Sequence, residues 1–197
     1  MSRETATLEM VRHVVVPLVE AELERLVPTD GVAAGKLARA VRYALEAGGK
    51  RVRPLLAVMS GRLFDVPDVA TVRIGAAIEC LHTYSLIHDD LPAMDDAAER
   101  RGRPALHRAF DEATAILAGD ALQALAFRAL ADPTLPLRGE ARARLAFGLA
   151  EAAGIEGMCG GQMLDLDAGT ATDVEAVRDL QARKTGALIT FACEAGA

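Results

Sequence analysis

Apolar residues recur at helical intervals along most of the chain, and strict apolar–polar alternation is hard to find. The first stretch covers about residues 6–26 and is interrupted by Pro17. A second runs from about Val32 to Ala47 and stops at Gly48-Gly49, where glycine's access to left-handed backbone ends a helix. Pro54 suits the first turn of a third helix that reaches about Leu63. After the loop FDVPD, a long apolar helix is predicted from about Asp68 to Asp89, then a polar connection through Pro104. A single helix over about 105–131 follows, ended by ADPTLP, with shorter ones near 138–152 and 155–166. Thr172 and Glu175 have capping-box spacing and open a last helix near 173 that runs on without a stop signal.

No internal repeat or low-complexity linker interrupts this series, so residues 1–197 are expected to form a single all-α domain. Composition narrows the function classes. Half the residues are hydrophobic (51%), mostly Ala, Leu and Val, which excludes a disordered chain. The three cysteines, Cys80, Cys159 and Cys193, are an odd, widely spaced set, neither a disulfide framework nor a metal site. A net charge of −6 argues against a general nucleic-acid or anionic-membrane binder. No stretch approaches ~20 uninterrupted apolar residues, so no membrane-spanning helix is expected. MSRETATLEM lacks the basic-then-apolar layout of a signal peptide, which leads us to expect a cytoplasmic protein.

Chemistry concentrates in a few charged blocks. His88-Asp89-Asp90-Leu91-Pro92-Ala93-Met94-Asp95-Asp96 closes the long apolar helix with carboxylates, at the end where the helix dipole disfavours anions. Such a cluster is either a solvated acidic loop or a site for a divalent cation such as Mg²⁺, which takes one or two carboxylates and completes its shell with water and phosphate oxygens. Arg100-Arg101-Gly102-Arg103 follows at once, and on a helix Arg100 and Arg101 would point about 100° apart, towards different anions. Upstream, Gly48-Gly49-Lys50-Arg51-Val52-Arg53-Pro54 places cations beside flexible glycines and a helix N-terminus, the makings of a diphosphate cradle or of an ordinary solvated turn. Arg53, preceding a proline, is expected to be extended. His82, Ser85 and Asp89 share one stripe of the long helix, and Gln162 and Asp165 share another helix face beside Gly160-Gly161. Lys184-Thr185-Gly186 sits among apolar residues on the last helix, where Lys184 either snorkels to the surface or serves an anionic ligand.

Taken together, GGKRVRP, HTYSLIHDDLPAMDD, RRG, LAGD, GGQMLDLD and KTGAL resemble, in order, the trans-polyprenyl diphosphate synthases, from about Tyr43 to the last residue. The resemblance implies an antiparallel helix bundle around a central cavity. It also implies a reaction in which an allylic diphosphate ionises with Mg²⁺ and isopentenyl diphosphate attacks the carbocation. By motif match, Asp89 and Asp95 resemble the Mg²⁺ ligands, with Asp90 in support. Arg100 resembles the allylic-diphosphate arginine, with Lys184 and Thr185 beside it. Lys50, Arg53, His82 and Arg101 resemble the isopentenyl-diphosphate site, and Gln162 falls in a substrate-binding segment.

Pro92-Ala93 within the motif, and Tyr84-Ser85 before it, resemble short-chain synthases of the farnesyl type. Bulky Tyr84, with small Ser85, would then set product length, farnesyl first and geranylgeranyl second. The family is usually homodimeric. Departures are Ala97-Ala98-Glu99, less acidic than usual, Gln181-Ala182 where a histidine often stands, and the lack of a second aspartate-rich motif before Ala197. The expectation is an N-terminal portion of such an enzyme, its C-terminal helices missing. A non-catalytic diphosphate-binding subunit, an HD-type metal phosphohydrolase built on His82 and His88-Asp89, and a plain helical scaffold are the rivals.

Overall fold

A computed structural model describes residues 8–27, 35–167 and 173–197. In chain order these form α1 (Leu8–Leu26), α2 (Gly35–Glu46), α3 (Val52–Leu63) and α4 (Asp68–Asp89). A hairpin of β1 (Glu99–Arg100) and β2 (Arg103–Pro104) precedes α5 (Leu106–Ala109) and α6 (Glu112–Ala131). The remainder is α7 (Gly139–Ala153), α8 (Met158–Asp167), α9 (Val174–Gln181), a π-helical turn at Ala182–Gly186 and α10 (Ala187–Ala195). The all-α class stands, with this two-strand hairpin as the one sheet among the described residues.

Helix α4 is the axis of the fold. Every residue from Ala70 to Leu81 is buried, as a helix apolar all round must be. It packs on α6 and α3, and also touches α1, α2 and α10. Two charged residues on this axis are neutralised in place: Arg73 by Glu22 and by Asp132 at 2.9 Å, and Glu79 by Arg51 at 2.6 Å. Close helix approaches depend on missing side chains. A Cβ at Gly75 would lie 2.9 Å from the Pro54 Cα, and one at Gly119 would fall 2.2 Å from the His88 ring. By length and composition α6 would also suit a bilayer crossing. In the fold Ala115, Ala118, Leu122, Ala126 and Ala129 are its buried face.

Several boundaries differ from the sequence reading for physical reasons. The single helix over 105–131 is two helices, because Asp111 adopts extended backbone and caps α6 by accepting from the Thr114 N–H at 2.7 Å. Arg53 is helical rather than extended. Pro54 occupies the third position of α3, where its missing N–H has no intrahelical partner to lose. The polar connection contains the hairpin, whose turn places Arg101 at φ 55° and Gly102 at φ 75°, the left-handed pair that two-residue hairpins favour. Arg100 and Arg101 therefore diverge through a strand end and a turn, not through helical rotation. Helix α8 starts at Met158 rather than near 155. The cap of α9 is Asp173, which accepts from the Glu175 N–H, and the final helix is broken by the π turn and ends at Ala195. Residues 6 and 7, Val32 and Thr172 lie outside the described residues.

Candidate active site

The turn before α3 and the hairpin turn meet beside the second half of α4, where Arg51 reaches Glu79 and Arg101 shares a recess with Thr83 and Leu86. Gly48 and Gly49 have φ of 73° and 142°, and the Arg101 guanidinium lies where a Cβ at Gly49 would be, its carbon 2.7 Å from that point. Lys50 is exposed beside it. Arg53, on the first turn of α3, has a buried Nε with no hydrogen-bond partner, and burial together with the charge of Arg101 lowers its pKa. Burial also lowers that of Arg101. His82 lies on the facing side of α4, its pKa lowered to about 3 by burial first, then by Arg53, Arg101, Arg51 and Arg100. It is neutral at ordinary pH. The Ser85 hydroxyl is spent on the His82 carbonyl at 2.8 Å.

Two turns beyond His82 along α4 the charge inverts. The chain folds back after Asp90, so that the Asp95 N–H donates to the Asp89 carbonyl at 2.9 Å and the Ala97 N–H to that of Asp90 at 3.2 Å. Residues Leu91–Met94 fill the loop thus closed. Asp89 accepts from Gln162 Nε2 on α8 at 2.5 Å. Burial raises its pKa, reinforced by Asp95 and opposed by Lys184 and Arg100. Asp90 is 2% exposed and held by Arg100, whose Nε lies 3.0 and 3.1 Å from its two oxygens. Asp95 is exposed, and Asp96 is anchored away by Arg108 at 2.7 Å. Lys184, on the π turn, donates to Asp165 at 2.5 Å, and Thr185 to Gln181 at 3.4 Å. That turn presses on α8: a Cβ at Gly161 would sit 2.2 Å from the Lys184 nitrogen, the close approach that Gly160-Gly161 suggested.

Between the two corners lies an open cavity of about 290 Å³, lined among others by Arg53, His82, Tyr84, Asp89, Gln162 and Lys184. Met158, Cys159, Met163 and Leu166 give it an apolar wall. Tyr84 crosses this wall, its hydroxyl 3.3 Å from the Cys159 sulfur and its ring edge-on to His88 at 5.0 Å. Burial raises the pKa of its phenol, which stays protonated. Arg100 and Arg101 line an adjoining recess rather than the cavity itself.

Thus seven candidates gather within two corners, Lys50, Arg53, His82 and Arg101 in one, Asp89, Gln162 and Lys184 in the other. Asp90 and Arg100 are locked to each other. Among the described residues no group of three or more His, Cys, Asp or Glu side chains forms a metal cage. A pair of hard oxygen donors, Asp89 with its burial-raised pKa and exposed Asp95 brought back to it, nonetheless fits Mg²⁺, which needs only one or two carboxylates. Sequence reasoning missed the roles of Arg51 and Glu79, and of Asp165 it saw only the helix face shared with Gln162. Arg51 and Glu79 form the buried pair beneath the cationic corner, and Asp165 holds Lys184. The only signal for Arg51 was its place between Lys50 and Arg53.

Comparison with known proteins places the chain in a family. The chain is 50% identical over 159 residues to the farnesyl diphosphate synthase of Escherichia coli K12, covering 80% of this chain and 53% of that protein. It is 47% identical over 161 residues to the farnesyl diphosphate synthase of Haemophilus influenzae, 81% of this chain and 54% of the relative. The chain thus spans about half the length of the curated relatives it matches. Among solved structures, an apo FPP/GFPP synthase from Zymomonas mobilis superposes with a TM-score of 0.90 at 44% identity, over 95% of this chain and 69% of that one. Residues 34–197 match the polyprenyl synthetase family, and the chain belongs to that family.

Proposed function

We propose that the chain carries the substrate-binding corners of a short-chain prenyltransferase that joins isopentenyl diphosphate to an allylic diphosphate. The observation that carries this reading is one apolar-walled cavity lined by Arg53 and His82 of the cationic corner and by Asp89 and Lys184 of the acidic one. The cationic corner, with Arg53 and Arg101 near the neutral His82 and Lys50 exposed on the same turn, suits a diphosphate that must stay bound. The acidic corner suits one that must leave. There Mg²⁺ held by Asp89 and Asp95 would supply positive charge to the departing diphosphate. Arg100, Lys184 and Thr185 would add hydrogen bonds that strengthen as that charge develops. The allylic C–O bond breaks with its electron pair on the diphosphate. The isopentenyl double bond then supplies the pair for the new C–C bond, and a proton is lost. Met158, with Met163 and Leu166, would offer the carbocation an apolar wall, and Tyr84 would stop the growing tail at farnesyl length, with geranylgeranyl as the second choice. Gln162 would hold Asp89 through its Nε2 and, from the cavity lining, contribute to the substrate-binding segment. Homodimer formation and a cytoplasmic site of action belong to the same proposal, supported by the family resemblance.

His88 argues against an HD-type hydrolase. Its Nε2 donates to the Ile116 carbonyl at 3.1 Å and its ring packs on Tyr84, which turns it towards α6. Incubation with Mg²⁺, isopentenyl diphosphate and dimethylallyl or geranyl diphosphate, followed by product identification, tests the reading. Elongated diphosphates support it. Binding of both diphosphates without elongation would point to a non-catalytic subunit, and phosphate release without C–C bond formation to the hydrolase.

A further inference from the structure

We infer that Arg51 is a positioning residue: its guanidinium ties the turn Gly48–Arg53 to three helices, so that Lys50 and Arg53 face an anion while Arg51 does not. This rests on the diphosphate reading above and adds to it a division of labour among three neighbouring cations.

Arg51 is the bulkiest fully buried side chain among the described residues, at 2% exposure. A guanidinium has five N–H donors. Here Nε donates to Glu20 Oε1 at 2.7 Å, Nη1 to Glu79 Oε1 at 2.6 Å, and Nη2 to Glu20 Oε2 at 3.2 Å and to the Leu45 carbonyl at 2.6 Å. The acceptors lie on α1, on α4 and near the end of α2, so one side chain pins the turn from three directions. Its backbone is left-handed, φ 46° and ψ 38°, a conformation that a non-glycine residue keeps only when its surroundings over-determine it. The buried carboxylate of Glu79 is consumed by Arg51, and Arg53, two residues on, forms no ion pair with any described residue. A guanidinium left desolvated and unpaired is poised for an incoming anion. Arg101 depends on the same turn, since it rests on Gly49.

A role confined to stability would change unfolding but not the turn or the anion affinity of folded molecules. Two variants separate these. Glu20→Ala removes the half-exposed arm and leaves the buried Arg51–Glu79 pair in place, so the protein folds. Arg51→Lys keeps the charge but cannot reach Glu20, Glu79 and Leu45 together. Two readouts are taken on each folded protein: amide hydrogen exchange at residues 55–57, the first of which donates its N–H to the Arg51 carbonyl at 3.0 Å, against that of α6, and calorimetric affinity for inorganic diphosphate without metal. The expected result is exchange at 55–57 faster by about tenfold or more with α6 unchanged, and affinity weakened about five- to tenfold, more for Arg51→Lys. Unchanged exchange at 55–57 overturns the inference, and so does faster exchange with undiminished diphosphate affinity. If the unaltered chain binds no diphosphate while the variants still loosen the turn, the diphosphate reading fails and the positioning role of Arg51 stands.

Discussion

The two corners of the cavity hold similar numbers of charged residues but use them oppositely. In the cationic corner Arg53 and Arg101 are partly desolvated and make no ion pair with a described residue, because Arg51 takes the nearby carboxylates. In the acidic corner every cation is already engaged, Arg100 by Asp90 and Lys184 by Asp165. An unpaired guanidinium receives an anion without first giving up a partner. A paired one must exchange a carboxylate for a phosphate, and that exchange is favoured once a divalent cation competes for the carboxylates. The difference suits a substrate that binds and stays against one that ionises only when the metal is in place.

The comparison breaks most sharply at Asp89. Asp89→Ala should lower prenyl transfer by about 10³ or more while leaving metal-free diphosphate binding at the other corner unchanged. Retained turnover would remove Asp89 as a metal ligand. Next, Arg53→Met should weaken metal-free isopentenyl diphosphate binding by about 10- to 100-fold, the worth of a charge-assisted hydrogen bond in a desolvated site. Titration calorimetry would show it, and an unchanged affinity would mean that Arg53 is merely a buried stem.

Helix content and order were legible because Ala, Leu and Val recur at helical intervals and Gly48, Pro54 and ADPTLP punctuate them. The acidic and basic motifs were legible because runs such as DDLPAMDD are costly without a ligand. What escaped was set by tertiary contact. The hairpin at Glu99–Pro104 has strands too short to alternate, and it is fixed by Tyr43, whose hydroxyl donates to Pro104 at 2.9 Å and whose ring lies under Arg103. The Phe110–Asp111 break has apolar spacing on both sides that reads as one helix. The π turn at Ala182–Gly186 follows from the approach of Gly161, which no local pattern announces. Arg51 looked like its neighbours because burial and ion pairing, not residue type, separate it from them.

Two smaller effects sharpen the contrast. Asp165→Asn should free Lys184 and tighten allylic diphosphate binding about two- to fivefold, in line with the modest worth of a part-exposed ion pair. No such gain is available in the cationic corner, where no carboxylate of the described residues is paired with Arg53 or Arg101. Finally, His82 has a folded pKa of about 3 against an ordinary value of 6.5, so the unfolded chain takes up its proton first. Its contribution to stability is complete above pH 6.5 and is lost as pH falls towards 3. Thermal unfolding at pH 7 and pH 4.5 should therefore show a smaller acid-induced drop for His82→Gln than for the unaltered chain. An equal drop would mean that burial and the arginines around it do not hold His82 neutral.

The contrast between corners is tested most directly by titrating the chain with isopentenyl diphosphate and with an allylic diphosphate, each with and without Mg²⁺. Isopentenyl diphosphate should bind within about twofold of the same affinity in both conditions, and the allylic diphosphate at least about tenfold more tightly with the metal. Equal dependence of the two ligands on Mg²⁺ would contradict the separation of a metal-free anion site from a metal-dependent one.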